Sequence, residues 1–348
     1  MMNEFSFIEY LRKKVGTPGR VSVGIGDDAA VLSVAKGKQL VVSTDVIVEN
    51  VDFICRTNKG ARHNYRVIMP GTFMNPKKIG RKALAVNLSD IAAMGVSPTA
   101  FVISVGRPPY VADLWLKRFY DGLLALAKQY DVACVGGDFS SSREFFASIT
   151  IFGEALPHQI VKRSGARAGD WIAVTGFLGG SILRHHYDFE PRVREGKILA
   201  REDFVSAMID ISDGLVQDLS HILKASKVGA VLDLDKIPVS SDAKKIARAV
   251  ILRSGATKNL KPGSFAFCKA QDDEALLRAL SDGEDFELLF TVPPWQKMML
   301  EKVWRKKFPR VPLAWIGKIE GKMPRISWRQ NGVRVPAPEL LCKGFSHF

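Results

Sequence analysis

Aspartates beside glycine, alanine or serine recur at the ends of apolar segments in this chain. They are Asp27-Asp28, Asp45 after Ser43-Thr44, Asp90 after Ser89, Asp138 after Gly136-Gly137, Asp210 and Asp213 around Ser212, and Glu284-Asp285 after Gly283. Each taken singly is ordinary turn or N-cap chemistry. As a set they suggest more. Small neighbours leave room for close approach, and carboxylates at strand ends gather at the sheet edge where α/β proteins bind ligands. Several carboxylates together repel one another unless cations lie between them. Ligation by oxygen alone, without His or Cys, suits Mg²⁺, which keeps waters and bridges protein carboxylates to phosphates. The residues themselves therefore point to a magnesium–phosphate site.

Other chemistries find no footing. No GxxxxGK[ST] loop occurs, and Gly24-Ile25-Gly26-Asp27-Asp28-Ala29 only half-matches a dinucleotide fingerprint. HExxH, GxSxG and kinase catalytic-loop signatures are missing from the sequence. The six histidines include no ligand-spaced pair, and adjacent His185 and His186 read as structural. Cys55, Cys134, Cys268 and Cys342 form no CxxC pair and read as free thiols, which implies a reducing, cytoplasmic setting. No apolar run is long enough to span a bilayer, and the N-terminus lacks the basic-then-apolar order of a signal peptide. No membrane partner is expected.

The elements that must position the acids follow from hydrophobic periodicity. Strands are predicted near 21–32, at 39–48, 99–107, 131–136 (short and buried) and 146–153. Helices are predicted over 79–95, where Leu84, Leu88 and Ile91 form an apolar stripe that Gly95 ends, and over 111–129. Gly/Pro/charged turns near 154–170 put a domain boundary there, giving domains 1–153 and 154–348. The second half reads as a strand at 171–175, a Gly-rich turn into a helix, a strand ending in MIDISDGL and a helix at 214–227. Strands at 230–235 and 286–292 and a basic amphipathic helix at 295–307 follow. Alternating strands and helices give an α/β or α+β class.

The net charge is +14 and unevenly spread. Residues 54–82 hold eight Lys/Arg, Lys82 among them, and no acid; residues 297–310 hold six basic residues against Glu301. Such patches suit an anionic partner or a solvated basic face. The 54–82 stretch carries only Tyr65 and Phe73 as aromatics and no nucleic-acid motif, so nucleic acid is not expected.

Eight stretches, in order, resemble the thiamine-monophosphate kinases of the aminoimidazole ribonucleotide synthetase and selenophosphate synthetase superfamily. They are GIGDDAAVL (24–32), STDV (43–46), KALAVNLSDIAAMG (82–95), VGGDFS (135–140), RSGARAGDW (163–171), IDISDGL (209–215), GEDFELLF (283–290) and KGFSHF (343–348). The resemblance implies an α+β, two-domain fold with an N-terminal ATP/Mg-binding sheet that forms a homodimer interface and a C-terminal α/β domain that completes the substrate site. It implies phosphorylation of thiamine phosphate by ATP. An ATP-dependent sister enzyme acting on another phosphate or carbonyl substrate is the alternative. Carried over by position, Asp28, Ser43, Thr44, Asp45, Asp90, Asp138, Asp210 and Asp213 would hold several Mg²⁺ ions. Gly137, Asp138, Arg163 and Ser212 would meet ATP, and Asp52, Glu284 and Phe345 the thiamine substrate. The chain departs from the pattern at Asp52, where the family has histidine, at Asp138-Phe139-Ser140, where it reads GGDTT, and in a basic insertion at about 54–75. An insertion folded over the site, pairing Arg56 or Arg62 with Asp52, would offset both charges.

Overall fold

The computed structural model describes residues 21–23, 27–34, 37–54, 75–253, 265–321 and 323–338. Two sheets form the frame. The first has strand order β1-β2-β3-β6-β4-β5, with β1 Val21–Val23, β2 Ala30–Ser33, β3 Gln39–Val48, β4 Ser97–Arg107, β5 Ala133–Ser141 and β6 Phe146–Ala155. All its pairs are antiparallel except β4–β5. The second has order β13-β12-β9-β11-β7-β10-β8, with β7 Trp171–Thr175, β8 Ala207–Asp210, β9 Gly229–Asp233, β10 Leu288–Val292, β11 Leu313–Glu320, β12 Ile326–Gln330 and β13 Val333–Val335. Only its β9–β12 pair is parallel. Predominantly antiparallel sheets with helices packed on them make the class α+β.

Helix α1 (Pro76–Ala93) is the element both halves share. It starts with Pro at its first position, and the Asn75 side chain accepts from the Lys77 N–H at 3.0 Å. It ends where Gly95 turns left-handed (φ +72°) and returns its N–H to Ala92. Leu84, Leu88 and Ile91 are fully buried, as their spacing requires, but so are Ala85, Ala92 and Ala93 beyond that stripe. The helix is covered nearly all round because it lies between the first sheet and α2 (Asp113–Gln129) on one side and elements of the second half on the other. The latter are the one-turn helix α3 (His185–Asp188), α4 (Val193–Arg201) and β8. Two glycines permit this packing: a Cβ at Gly80 would meet the Phe119 carbonyl oxygen at 1.9 Å, and one at Gly196 the Ala92 carbonyl oxygen at 2.1 Å.

The first sheet turns Val41, Ile47, Phe101, Ile103, Val105, Ile149 and Ile151 inward against α1. Among the described residues nothing packs on its opposite face, where Val46 is 50% exposed, and on the edge strand β5 Val135 is 62% and Phe139 52% exposed. The strand predicted as short and buried at 131–136 is instead β5, nine residues long and exposed at every position. It is the edge strand and among the described residues nothing covers it, so its apolar residues misled the periodicity reading.

The remaining second-half helices are α5 (Leu215–Ser226), α6 (Ser241–Arg253), α7 (Phe265–Ser281) and the basic α8 (Lys297–Lys307). Among the described residues no helix is long and apolar enough to cross a membrane. Residues 55–74, the core of the predicted insertion, lie outside the described residues.

Gly196→Val tests the clamp on α1. Forcing a side chain into the Ala92 backbone is expected to lower unfolding stability by about 1–3 kcal/mol, read as a reduced urea midpoint with an unchanged denaturant slope.

Candidate functional site

The acids meet at the seam between the two halves, not along one sheet edge as predicted. Asp28 comes from the turn before β2, Asp90 from the last turns of α1, and Asp210 from the end of β8. Their carboxylate oxygens lie within 4.8 Å of one another, so they can hold one metal ion. α1 penetrates between the sheets and supplies the third acid, which is why a strand-end argument alone misplaced the site.

The first shell of contacts is dense. Ser43, on the inward face of β3, hydrogen-bonds through its hydroxyl to the Asp90 carboxylate and lies 3.2 Å from the Asp28 carbonyl oxygen. Ser89 donates to Asp210 at 2.6 Å, tying α1 to β8 across the seam. The Asp45 N–H donates to Asn87 Oδ1 at 3.1 Å, and Asn87 donates in turn to the Ala83 carbonyl at 3.0 Å. Arg163 grips Asp28 with two parallel bonds, Nε to Oδ2 at 3.0 Å and Nη2 to Oδ1 at 2.9 Å, the strong fork geometry of a guanidinium–carboxylate pair. Its backbone N–H reaches both Asp27 oxygens at 3.3 Å.

Charge is unbalanced here. Burial pushes Asp90 well above the usual carboxylate range, and Asp45, Asp210 and Asp28 push it further. Burial and Asp28 raise Asp210 to about 8, and the same two causes raise Asp27 to about 7. Burial disfavours the Arg163 charge, but Asp28 and Asp27 outweigh that and hold it protonated. The Arg163 guanidinium thus offsets Asp28, Asp27 and Asp210, while Asp45 and Asp90 add to the crowding. Buried carboxylates so crowded ionise together only when cations join them, and an all-oxygen set of this kind fits Mg²⁺.

Next to this cluster, Asp213 follows Ser212 at the start of α5. Its N–H and that of Gly214 donate to buried Asp218 at 3.1 Å, and Gln217 donates to its carboxylate at 3.0 Å. Asp213, Asp218 and His221 also bring ligand atoms within 4.8 Å of one another. The sequence reading overlooked Asp218 and His221; their spacing along one helix face was the available signal.

Two predicted ligands are not gathered with the others. Thr44 alternates with Ser43 and Asp45 along β3, so its hydroxyl lies on the open face, donating to the Ile149 carbonyl at 3.0 Å and accepting from Thr150 at 3.1 Å. Gly137 and Asp138 lie on exposed β5, three strands from β3 in the order β3-β6-β4-β5, or roughly 14 Å by ordinary strand spacing.

On the predicted substrate side, Asp52 turns back to accept from the Val48 N–H at 2.7 Å. Glu284 sits at φ +62° in a loop whose backbone is tied to the Asp210–Ser212 segment: Glu284 N–H to Ser212 O at 2.7 Å and Phe286 N–H to Ile211 O at 2.8 Å. Its carboxylate pairs with Lys82. Counted at first in a basic patch, Lys82 is in fact 1% exposed and inside the molecule. Phe345 lies outside the described residues, as do Arg56 and Arg62.

Comparison with known proteins finds relatives over nearly the whole chain. The family described as AIR synthase related protein, N-terminal domain, matches residues 26–155, and its C-terminal domain counterpart matches residues 166–288. A thiamine-monophosphate kinase of Rhodopirellula baltica is 37% identical over 328 residues, covering 92% of this chain and 90% of that protein. The Salmonella typhimurium protein of the same name is 33% identical, covering 99% of this chain and 98% of that protein. Among solved structures, AaThiL complexed with AMPPCP and TMP superposes with a TM-score of 0.73 at 26% identity, covering 100% of this chain and 97% of that one. Thiamine-monophosphate kinase from Stenotrophomonas maltophilia has a TM-score of 0.64 at 30% identity, covering 95% and 98%.

The raised carboxyls set a pH test on metal-free protein. Asp210 binds its proton more tightly folded than unfolded, so the stability that proton provides is present below pH 3.8 and is lost as pH rises toward 8. Thermal melts from pH 5 to 9 are expected to fall more steeply for wild type than for Asp210→Asn. Added Mg²⁺ is expected to raise the wild-type midpoint more at pH 9 than at pH 5.

Proposed function

We propose the activity that follows from one fact: the chain belongs to the thiamine-monophosphate kinase family. The protein transfers the γ-phosphoryl group of ATP to thiamine phosphate, giving thiamine diphosphate and ADP. The observation that carries this reading is the buried Asp28–Asp90–Asp210 cluster at the domain seam, in a chain related to these kinases from end to end.

The ligand set for Mg²⁺ at the seam is Asp28, Ser43, Asp45, Asp90, Asp210 and Asp213, with Thr44 able to contribute from its main chain, while Asp138, strands away on β5, would hold a separate ion. Bound there, Mg²⁺ would neutralise polyphosphate charge and draw the reacting oxygens together. Arg163, fixed by two bonds to Asp28, supplies a permanent cation beside the ATP phosphates. Gly137 and Ser212 complete the ATP contacts. Glu284, Asp52 and Phe345 orient the thiamine end by hydrogen bonding and stacking.

No residue needs to act as a base. The acceptor is a phosphate monoester, already largely ionised near neutral pH because its second pKa is about 6. What it needs is alignment in line with the γ-phosphorus and relief of anion–anion repulsion. Free thiamine would present an alcohol instead, and is expected to be a poor acceptor.

The protein acts as a homodimer through the open face of the first sheet. Val46 on that face and Val135 and Phe139 on the exposed edge strand β5 are apolar, and an uncovered apolar sheet face and edge together form a candidate interface. The exposed free thiols of Cys134 and Cys268 suit a cytoplasmic enzyme.

Two experiments test these statements. Incubation with ATP, Mg²⁺ and thiamine phosphate is expected to yield thiamine diphosphate, stopped by chelator, and Asp90→Asn is expected to lower turnover by roughly 10²-fold or more while the fold persists. A full-rate Asp90→Asn enzyme would contradict the assignment. In light scattering after size exclusion, wild type is expected at twice the chain mass of 38.4 kDa, and Phe139→Glu at the monomer mass.

A further inference from the structure

A lysine buried inside a helix demands an explanation, because its charge is costly to desolvate unless paired. Lys82 on α1 has three partners. It donates to Glu284 Oε1, to His186 Nδ1 at 3.3 Å and to the Asp52 carbonyl at 3.4 Å. A lysine ammonium only donates, so His186 must accept at Nδ1 and carry its proton on Nε2. That Nε2–H has no hydrogen-bond partner among the described residues, although it is buried. Burial, with Lys82 alongside, lowers His186 to about 3, so the ring stays neutral and adds no competing charge. His186 thus gives up a hydrogen bond of its own to brace Lys82, which fold stability does not account for.

The partner of Lys82 is strained as well. Glu284 and Phe286 are both non-glycine residues at positive φ, +62° and +48°, a conformation that persists only where surroundings enforce it and that clusters at functional sites. Between them Asp285 is buried, receiving the Gly179 N–H at 2.9 Å. The loop is therefore locked at its backbone, while the Glu284 side chain remains 31% exposed. One carboxylate oxygen is held by Lys82 and the other lies 3.7 Å from His186 Nδ1, so both buried groups fix a side chain that still reaches the surface.

The same helix face links this pair to the acidic cluster. Lys82, Val86, Ser89 and Asp90 recur at i, i+4, i+7 and i+8 along α1. Ser89 holds Asp210 and Asp90 belongs to the metal-binding set. Seven residues of helix separate Lys82 from Ser89, about 10 Å along the axis.

We propose that Lys82, braced by His186, is a positioning residue that fixes the Glu284 carboxylate to receive the cationic end of the phosphorylated acceptor, at a set distance along α1 from the metal cluster. The inference rests on the reading of the chain as a kinase of thiamine phosphate. It adds that this substrate's orientation is set from inside the first domain by a residue that never touches it.

The test begins with wild-type turnover of thiamine phosphate, whose absence would overturn the kinase reading itself and this assignment with it. With turnover in hand, Lys82→Met removes the charge but keeps the chain's length and apolar stem. It is expected to raise KM for thiamine phosphate roughly tenfold or more while KM for ATP stays within about twofold. His186→Gln, whose carbonyl can still accept from Lys82, is expected to retain near wild-type KM; His186→Leu is expected to raise it. In a Glu284→Gln background, adding Lys82→Met is expected to change KM for thiamine phosphate little further, because Lys82 acts only through Glu284. Should Lys82→Met fail to fold, Lys82→Arg, which keeps the charge but alters its geometry, is read in the same way. Equal rises in both Michaelis constants, or fully multiplicative effects of the Lys82 and Glu284 substitutions, would overturn the proposal and leave Lys82 a structural ion pair.

Discussion

The architecture turns on an electrostatic imbalance at the seam between its two halves. Five carboxylates, Asp27, Asp28, Asp45, Asp90 and Asp210, crowd together, and among the described residues the Arg163 guanidinium is the cation paired with them, through Asp28 and Asp27. Without cations, burial and mutual repulsion hold several of these acids toward protonation. Four distant stretches of chain, and a fifth carrying Arg163, must be kept in one place to sustain such a cluster. The device that does so is α1, a helix buried on almost every side, which brings Ser89 and Asp90 to strands of different sheets.

Seen this way, the fold subordinates packing to the site. Gly80 and Gly196 let α2 and α4 close on α1 at backbone contact. Asn87, fully buried, receives the Asp45 N–H and anchors to Ala83. Lys82, at the far end of the helix, holds Glu284. Polar groups in a helix core destabilise unless each finds a partner; here Glu284, His186 and Asp210 supply partners from the opposite domain. The two halves are therefore joined through the groups that would bind phosphate and metal, and rigidity of the seam and geometry of the site are the same property.

Much of this was legible in the sequence. Asp28, Asp90 and Asp210 were singled out by their small neighbours, and α1 by its apolar period. Their convergence point was not legible, because periodicity reports which face of a helix is buried but not that both faces are. Lys82 was mistaken for part of a basic patch for the same reason: in sequence it adjoins Lys77, Lys78 and Arg81, and only packing distinguishes it. The exposed β5 shows the converse. Its apolar residues read as buried, but among the described residues nothing covers them. Thr44 departs from the predicted set through the two-residue period of β3, which sends alternate side chains to opposite faces.

A seam cluster built for phosphoryl transfer captures divalent cations alongside nucleotide. Mn²⁺, which reports its own binding through its electron paramagnetic resonance signal, can be titrated into wild-type protein with a non-hydrolysable ATP analogue present. The expected result is saturable Mn²⁺ uptake that Mg²⁺ displaces, and that Asp210→Asn and Asp90→Asn each abolish without loss of fold. Undiminished uptake in both variants would contradict it.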